Sequence, residues 1–197
     1  MQIPSDLRLR LDAVDGPLAD PSPLRHAAVL APLLPGTAGL GPCLLLIERA
    51  GNLRAHAGQL AFPGGKPDPG DRDLLETALR EAEEEVALPR AQVEILGRLT
   101  PVPVPSGFMV VPFVGLVHGP WSPRIQDSEV KSVLTPSLRE LADPTLYSLT
   151  GHHEWRGTHY ALHEYRIHEP PLWGATARMV FDLLARMNGR TARDIPP

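Results

Sequence analysis

The chain has a single cysteine, Cys43, in 197 residues. That one thiol excludes an internal disulfide, a four-thiolate zinc site and a CxxC redox pair, and it makes a reducing cytoplasm the expected setting. Basic residues are not in excess: 19 Lys and Arg stand against 23 Asp and Glu, a formal net charge of −4. With no global positive field to hold a polyanion, a general nucleic-acid-binding role is disfavoured. Long apolar runs are missing too. The longest apolar stretch, His26 to Ile47, is interrupted by Pro32, Pro35, Gly36, Gly39, Gly41 and Pro42, far short of the ~18 uninterrupted apolar residues that a membrane span needs. Arg8 and Arg10 are not followed by an apolar segment with a cleavage site, and Asp194-Ile195-Pro196-Pro197 is not a peroxisomal address. No membrane association and a cytoplasmic location are the expectation.

The 23 Pro and 17 Gly make up about a fifth of the chain, which predicts many loops around a real core. The length suits one domain, 1–197. Ala27–Leu34, Cys43–Ala50, Val93–Thr100 and Val110–Val117 read as strands from their length, their β-branched content and the Gly and Pro that bound them. Thr158–Ile167 is a further strand, paired with the segment before Arg156-Gly157. Helical patterns cover Arg72 to Ala87 and Ala175 to Met187, and Ser5 to Ala13 fits either helix or strand. Strands and helices mixed in this order predict an α/β layered domain with a mixed sheet.

The chemistry concentrates in Gly64-Gly65-Lys66-Pro67-Asp68-Pro69-Gly70-Asp71 and the helix after it. On a wheel turning about 100° per residue with Glu81 at zero, Glu84 falls near 300° and Glu85 near 40°. Three carboxylates thus share one side, next to an apolar stripe of Leu75, Ala78, Leu79, Ala82 and Val86, whereas Glu83 points elsewhere. A run of surface acids is normally just a solvated face. Here, however, like charges three and four residues apart repel, and Arg80 is the only basic residue among them. Such a cluster suits a hard cation with oxygen ligands, Mg2+ or Mn2+, which leaves positions for substrate phosphates and lowers the pKa of a bound water. Gly64 and Gly65 let the backbone approach a ligand closely. A Walker A loop is excluded, because the glycine spacing is wrong and Lys66 is followed by Pro67.

These residues resemble a known family. Arg80-Glu81-Ala82-Glu83-Glu84-Glu85-Val86-Ala87-Leu88 is similar to the second half of the Nudix box, G-x5-E-x7-R-E-U-x-E-E-x-G-U with U apolar, and Gly65 with Asp71 is similar to its first half. Asp71 stands where the family usually has Glu, one residue further from Arg80 than usual, and Ala87 replaces Gly. Upstream, Leu45-Leu46-Ile47-Glu48-Arg49-Ala50, Arg54, Gly58 and Phe62-Pro63-Gly64-Gly65 resemble the motif L-L-T-x-R-S/A-x3-R-x3-G-x3-F-P-G-G of coenzyme A pyrophosphatases among Nudix hydrolases, with Ile47 in place of Thr. Leu172-Trp173-Gly174-Ala175-Thr176-Ala177 resembles the start of that subfamily's C-terminal helix.

The resemblance implies a Nudix-type α/β/α sandwich with the box at about 65–88. It also implies hydrolysis of a coenzyme A-like nucleotide to 4′-phosphopantetheine and adenosine 3′,5′-bisphosphate. The alternatives are another nucleoside diphosphate substrate, such as ADP-ribose or a dinucleotide, and a noncatalytic nucleotide sensor. By position, Glu81 and Glu85 become metal ligands, Glu84 a third ligand or the base that orients water, and Arg80 the partner that holds a carboxylate in place. Glu81, Glu84 and the off-helix Glu129 are the candidate proton acceptors, with a solvated loop acid the plain alternative for Glu129.

Arg49, Arg54 and His56 could fold back over the glycines to bind the pyrophosphate or a 3′-phosphate. Phe108, in Ser106-Gly107-Phe108, either stacks on adenine or packs in the core. His152, His153, His159, His163 and His168 lack metal-site spacing and read as a surface run. Trp155 and Trp173 are expected in the core or at an interface, which leaves a homodimer open.

Overall fold

A computed structural model describes residues 1–16, 24–36, 41–51 and 58–195. In chain order the elements are β1 (Arg25–Leu34), β2 (Cys43–Leu44), β3 (Leu46–Arg49), β4 (Leu60–Ala61), β5 (Gly64–Gly65), α1 (Leu74–Val86), β6 (Val93–Arg98), β7 (Val102–Val104) and β8 (Phe108–Val117). They continue with β9 (Val130–Leu134), α2 (Leu138–Leu141), β10 (Tyr147–Trp155), β11 (Thr158–Tyr165), β12 (Leu172–Trp173) and α3 (Gly174–Met187). The central sheet has the order β2-β1-β8-β6, with β5 on β1 and β7 on β8. β1 and β8 run parallel and the other pairs antiparallel, so the sheet is mixed as expected.

Alternation along the two longest strands explains the layers, since successive side chains leave a strand on opposite faces. Ala28 and Leu30 of β1 and Val111, Phe113 and Val117 of β8 share one core with Ala78, Ala82 and Val86 of α1. Ala31 and Leu33 of β1 and Val114 of β8 join a second core with Val180, Leu183 and Leu184 of α3. The sheet therefore lies between two helical layers, the α/β/α sandwich that the resemblance implies. α3 also packs on the smaller sheet β10-β11-β12. No described helix is long and apolar enough to cross a membrane.

Two expectations need correction. The strand expected over Cys43–Ala50 is broken at Leu45: β2 pairs with β1 in the central sheet, whereas β3 pairs with β4 and β9 in another. Leu45 N–H donates to Pro32 O at 3.0 Å, and Pro32 has no N–H to return the bond, so the ladder stops there. The histidines are not all at the surface. His163 is buried, 2.9 Å from Tyr147 Oη through Nδ1 and stacked on Phe181 at 4.3 Å; burial pushes its pKa down to about 4, so it is neutral. Of the two places expected for Trp173, it does not take the core: it is half exposed at the start of α3. The ambiguous segment Ser5–Ala13 resolves into a 3-10 turn over Leu7–Arg10.

α1 is closed at both ends. Asp73 caps its N-terminus by accepting from Glu76 N at 2.8 Å. At the C-terminus Ala87 takes the left-handed conformation, φ 54°, with Ala87 N donating to Glu83 O at 3.0 Å and Leu88 N to Ala82 O at 3.2 Å. An alanine there carries a Cβ penalty that glycine does not. Ala87→Gly should therefore stabilise the protein by about 0.5–1 kcal/mol, read as a higher urea midpoint at unchanged m-value. An unchanged or lower midpoint would show that Ala87 is unstrained.

Candidate active site

The acidic side of α1 is organised by one guanidinium. Arg80 Nε and Nη2 donate to the two oxygens of Asp71 at 3.0 and 3.1 Å. Nη1 donates to Glu84 Oε2 at 2.9 Å, and Nη2 also reaches Glu81 Oε1 at 3.1 Å and Lys66 O at 3.2 Å. Asp71 is further held by Thr77 Oγ1 at 2.8 Å and by Asp68 N at 2.9 Å. The Arg80 guanidinium, aided by those two donors, keeps the Asp71 carboxyl far below the usual carboxylate range. Asp71 in turn raises the pKa of Arg80, with help from Glu81. The shorter Asp and the extra residue before Arg80 are thus accommodated, and the first acid of the motif anchors Arg80. Thr77 was not singled out from the sequence. Its signal was there, a polar residue on the acid side of the wheel one turn before Arg80.

Glu85 lies deeper, 1% exposed. Its Oε2 accepts from Gly64 N at 3.0 Å, and its Oε1 accepts no hydrogen bond, with Arg49 Nη1 4.0 Å away. Burial first, then repulsion from Glu81 and Glu129, push its pKa up to about 8. Glu81 is half-buried, and its pKa is raised for the same first reason, with Glu84 and Glu129 adding repulsion against the pull of Arg80. The glycines make this arrangement possible. A Cβ on Gly65 would collide with the Glu81 carboxylate, and one on Gly64 with Ala28 O.

Glu129 comes from the loop before β9 and is placed by α1 itself. Arg124 N and Gln126 N donate to the free carbonyls of Val86 and Glu85 at 3.3 and 3.1 Å, and Glu129 O accepts from Ala50 N at 2.8 Å. Glu83 turns away to Arg90 Nε at 3.2 Å, as the wheel placed it. Arg49 reaches the site at Glu85, whereas Arg54 and His56 lie outside the described residues. Phe108 is half-buried at the rim, not in the core, with Arg25 over its ring at 4.3 Å and Lys66 Nζ at 5.4 Å from the ring centre.

Four carboxylates, Asp71, Glu81 and Glu84 with Asp68 at 3.9 Å, share the single charge of Arg80, while Glu85 and Glu129 stand beside them. Among the described residues no three His, Cys, Asp or Glu side chains are already gathered around a common point. Glu84 is drawn onto Arg80 and is not turned toward Glu85. A hard divalent ion nevertheless fits the donor set: it consists of carboxylate oxygens, it has excess negative charge, and its buried Glu85 Oε1 accepts no hydrogen bond.

Residues 24–157 match the NUDIX domain family. The chain belongs to the Nudix hydrolases. The uncharacterized Nudix hydrolase NudL of Photorhabdus laumondii is 39% identical over 163 residues, covering 81% of this chain and 83% of the relative. NudL of Yersinia enterocolitica is 41% identical over 163 residues, covering 83% and 82%. Among solved structures, a NUDIX hydrolase from Alicyclobacillus acidocaldarius aligns with TM-score 0.58 at 20% identity, over 90% of this chain and 100% of that one. The NUDIX domain of Shewanella oneidensis NrtR complexed with ADP ribose aligns with TM-score 0.50 at 21% identity, over 62% and 80%. Both likenesses are of fold. Nudix hydrolases act on nucleoside diphosphate derivatives and generally need a divalent ion such as Mg2+ or Mn2+.

The Glu85 carboxyl sets a testable pH dependence. Its folded pKa of about 8 lies above the ordinary 4.5, so in this window the folded protein keeps a proton that the unfolded chain has lost. That contribution to stability is complete below the ordinary value and is lost as pH rises through about 8. In chelator, the Tm of the wild type should fall across this window, and Glu85→Gln, neutral throughout, should flatten the fall. An identical slope in both proteins would place the titration elsewhere.

Proposed function

We propose that the protein hydrolyses the pyrophosphate bond of coenzyme A or its derivatives, with Mg2+ or Mn2+, to 4′-phosphopantetheine and adenosine 3′,5′-bisphosphate. The observation that carries the reaction class is the surplus of carboxylate over Arg80 around the Glu85 oxygen that accepts no hydrogen bond. Without a counter-cation this charge would repel a diphosphate. The substrate assignment is supported by the run from Leu45 to Gly65, whose Arg49 and Gly64 both meet Glu85.

Glu81 and Glu85 would hold the ion, with Glu84 as the third ligand once released from Arg80. When bound, the ion supplies charge neutralisation for the phosphoryl oxygens and lowers the pKa of a coordinated water. Glu81, Glu84 and Glu129 are the groups within the site able to accept the proton from the attacking water. Arg80, fixed by Asp71, positions the carboxylates. The N–H of Gly64 holds Glu85 in one orientation, and Arg49 offers positive charge to the diphosphate. Glu85, whose burial favours its protonated form, would have to give up that proton to hold an ion.

Coenzyme A, ADP-ribose and dinucleotides incubated with the protein in Mg2+, in Mn2+ and in chelator decide the matter. Release of 4′-phosphopantetheine from coenzyme A in metal alone is expected. Exclusive turnover of ADP-ribose or dinucleotides would move the substrate, and nucleotide binding without turnover would make the domain a sensor. Glu85→Gln should lower kcat by about 10²–10⁴-fold and abolish the Mn2+-induced rise in Tm, with the fold retained by circular dichroism. Wild-type turnover by this variant would remove Glu85 from the mechanism.

A further inference from the structure

Two cations converge on one phenyl ring around the sheet edge from the acids. Arg25 opens β1 and Phe108 opens β8, and the two are direct partners in the parallel pair. The Arg25 guanidinium carbon lies 4.3 Å from the centre of the Phe108 ring, and Lys66 Nζ lies 5.4 Å from it. Both cations are exposed, and among the described residues neither is joined to a carboxylate. Ring contacts of this kind return only about 0.5–1 kcal/mol each at exposed sites, and two like charges drawn to one ring repel each other. A dianion would satisfy both.

Strand alternation fixes where this corner lies relative to the reaction. Gly65 pairs with Ala28, whose side chain belongs to the α1 core, and a Cβ on Gly65 would strike Glu81. Lys66 is the next residue, and Arg25 is three before Ala28, so both leave the sheet on the other face, as does Phe108. A molecule whose anhydride sits at Glu81 and Glu85 reaches Lys66 by crossing β5, where Gly64 and Gly65 present no side chain. Lys66 is tied to the acid site through its own carbonyl, which accepts from Arg80 Nη2 at 3.2 Å. The group met at Lys66 and Arg25 is therefore remote from the cleaved bond. Two cations with five guanidinium and three ammonium donors between them suit a phosphomonoester, which carries about two charges and three acceptor oxygens at neutral pH.

We propose that Arg25, Lys66 and Phe108 form a second phosphate subsite, which selects nucleotides carrying a phosphomonoester on the ribose in addition to the diphosphate. The proposal rests on the coenzyme A reading above, and its test separates the two. Adenosine 3′,5′-bisphosphate and adenosine 5′-monophosphate are titrated calorimetrically into the Mg2+-loaded protein. The wild type should bind the bisphosphate about tenfold more tightly, and the double variant Arg25→Gln/Lys66→Gln should bring the ratio to about one with an unchanged circular dichroism spectrum. Equal affinities in the wild type, or a preference that survives the double substitution, overturn the subsite. Steady-state kinetics on coenzyme A and its 3′-dephospho form give the second readout. The ratio of their kcat/KM values should fall toward one in the variant through KM. If both forms are cleaved equally by the wild type, the subsite falls and the reaction stands. If neither is cleaved while the bisphosphate preference is present and lost in the variant, the subsite stands and the reaction falls.

Discussion

The candidate site depends on Arg80 acting as counter-charge to more carboxylates than it can neutralise. Its fork donates to Asp71, Glu81, Glu84 and the Lys66 carbonyl. Asp71 takes the bidentate share and is itself fixed by Thr77 and the Asp68 amide. A guanidinium bound in this way cannot swing, so Glu81 keeps its place relative to Glu85, while Glu84, half exposed and held through one bond, is the acid that can leave it. Among the described residues Arg80 and Arg49 are the basic groups paired with Asp71, Glu81, Glu84 and Glu85, and that imbalance is the physical basis for reading the cluster as a cation seat and not a solvated face.

α1 supplies the rigidity that such a seat needs. Its apolar residues Ala78, Ala82 and Val86 are fully buried against the sheet, so the orientation of the acid stripe is set by core packing. Its end carbonyls do not wait for water: those of Glu85 and Val86 accept from the backbone of Gln126 and Arg124, and Trp121 Nε1 reaches Ala87 O at 3.1 Å. The loop that carries Glu129 is consequently hung from the same helix as Glu81 and Glu85.

Much of this was legible in the sequence because it is local. Helical spacing placed Glu81, Glu84 and Glu85 together and Glu83 apart, and apolar periodicity gave α1, α3, β1, β6, β8 and β11 to within a few residues. The bidentate anchoring of Arg80 by Asp71 could not be read from spacing, since it depends on how the 66–71 loop folds back on the helix. The break at Leu45 escaped because a continuous apolar run does not show where a chain changes sheets. His163 was misplaced for a related reason: with Tyr165 it makes a single i, i+2 buried pair in an otherwise polar hairpin, too short a run to read as a pattern. Arg25 carried none either, because it meets Phe108 across more than eighty residues of chain, by strand pairing alone.

The division of the apolar side chains between two faces of one sheet has a consequence for how the domain can change. The acid helix packs on one face, while α3, with its buried Asp182 and Arg186 joined at 2.6 Å, packs on the other. Substitutions on opposite faces share few partners, and their free energies then add. One layer is free to drift, or to be engineered for endurance in heat or denaturant, while the opposite layer preserves its chemistry, so robustness and reactivity are separately heritable traits of this architecture.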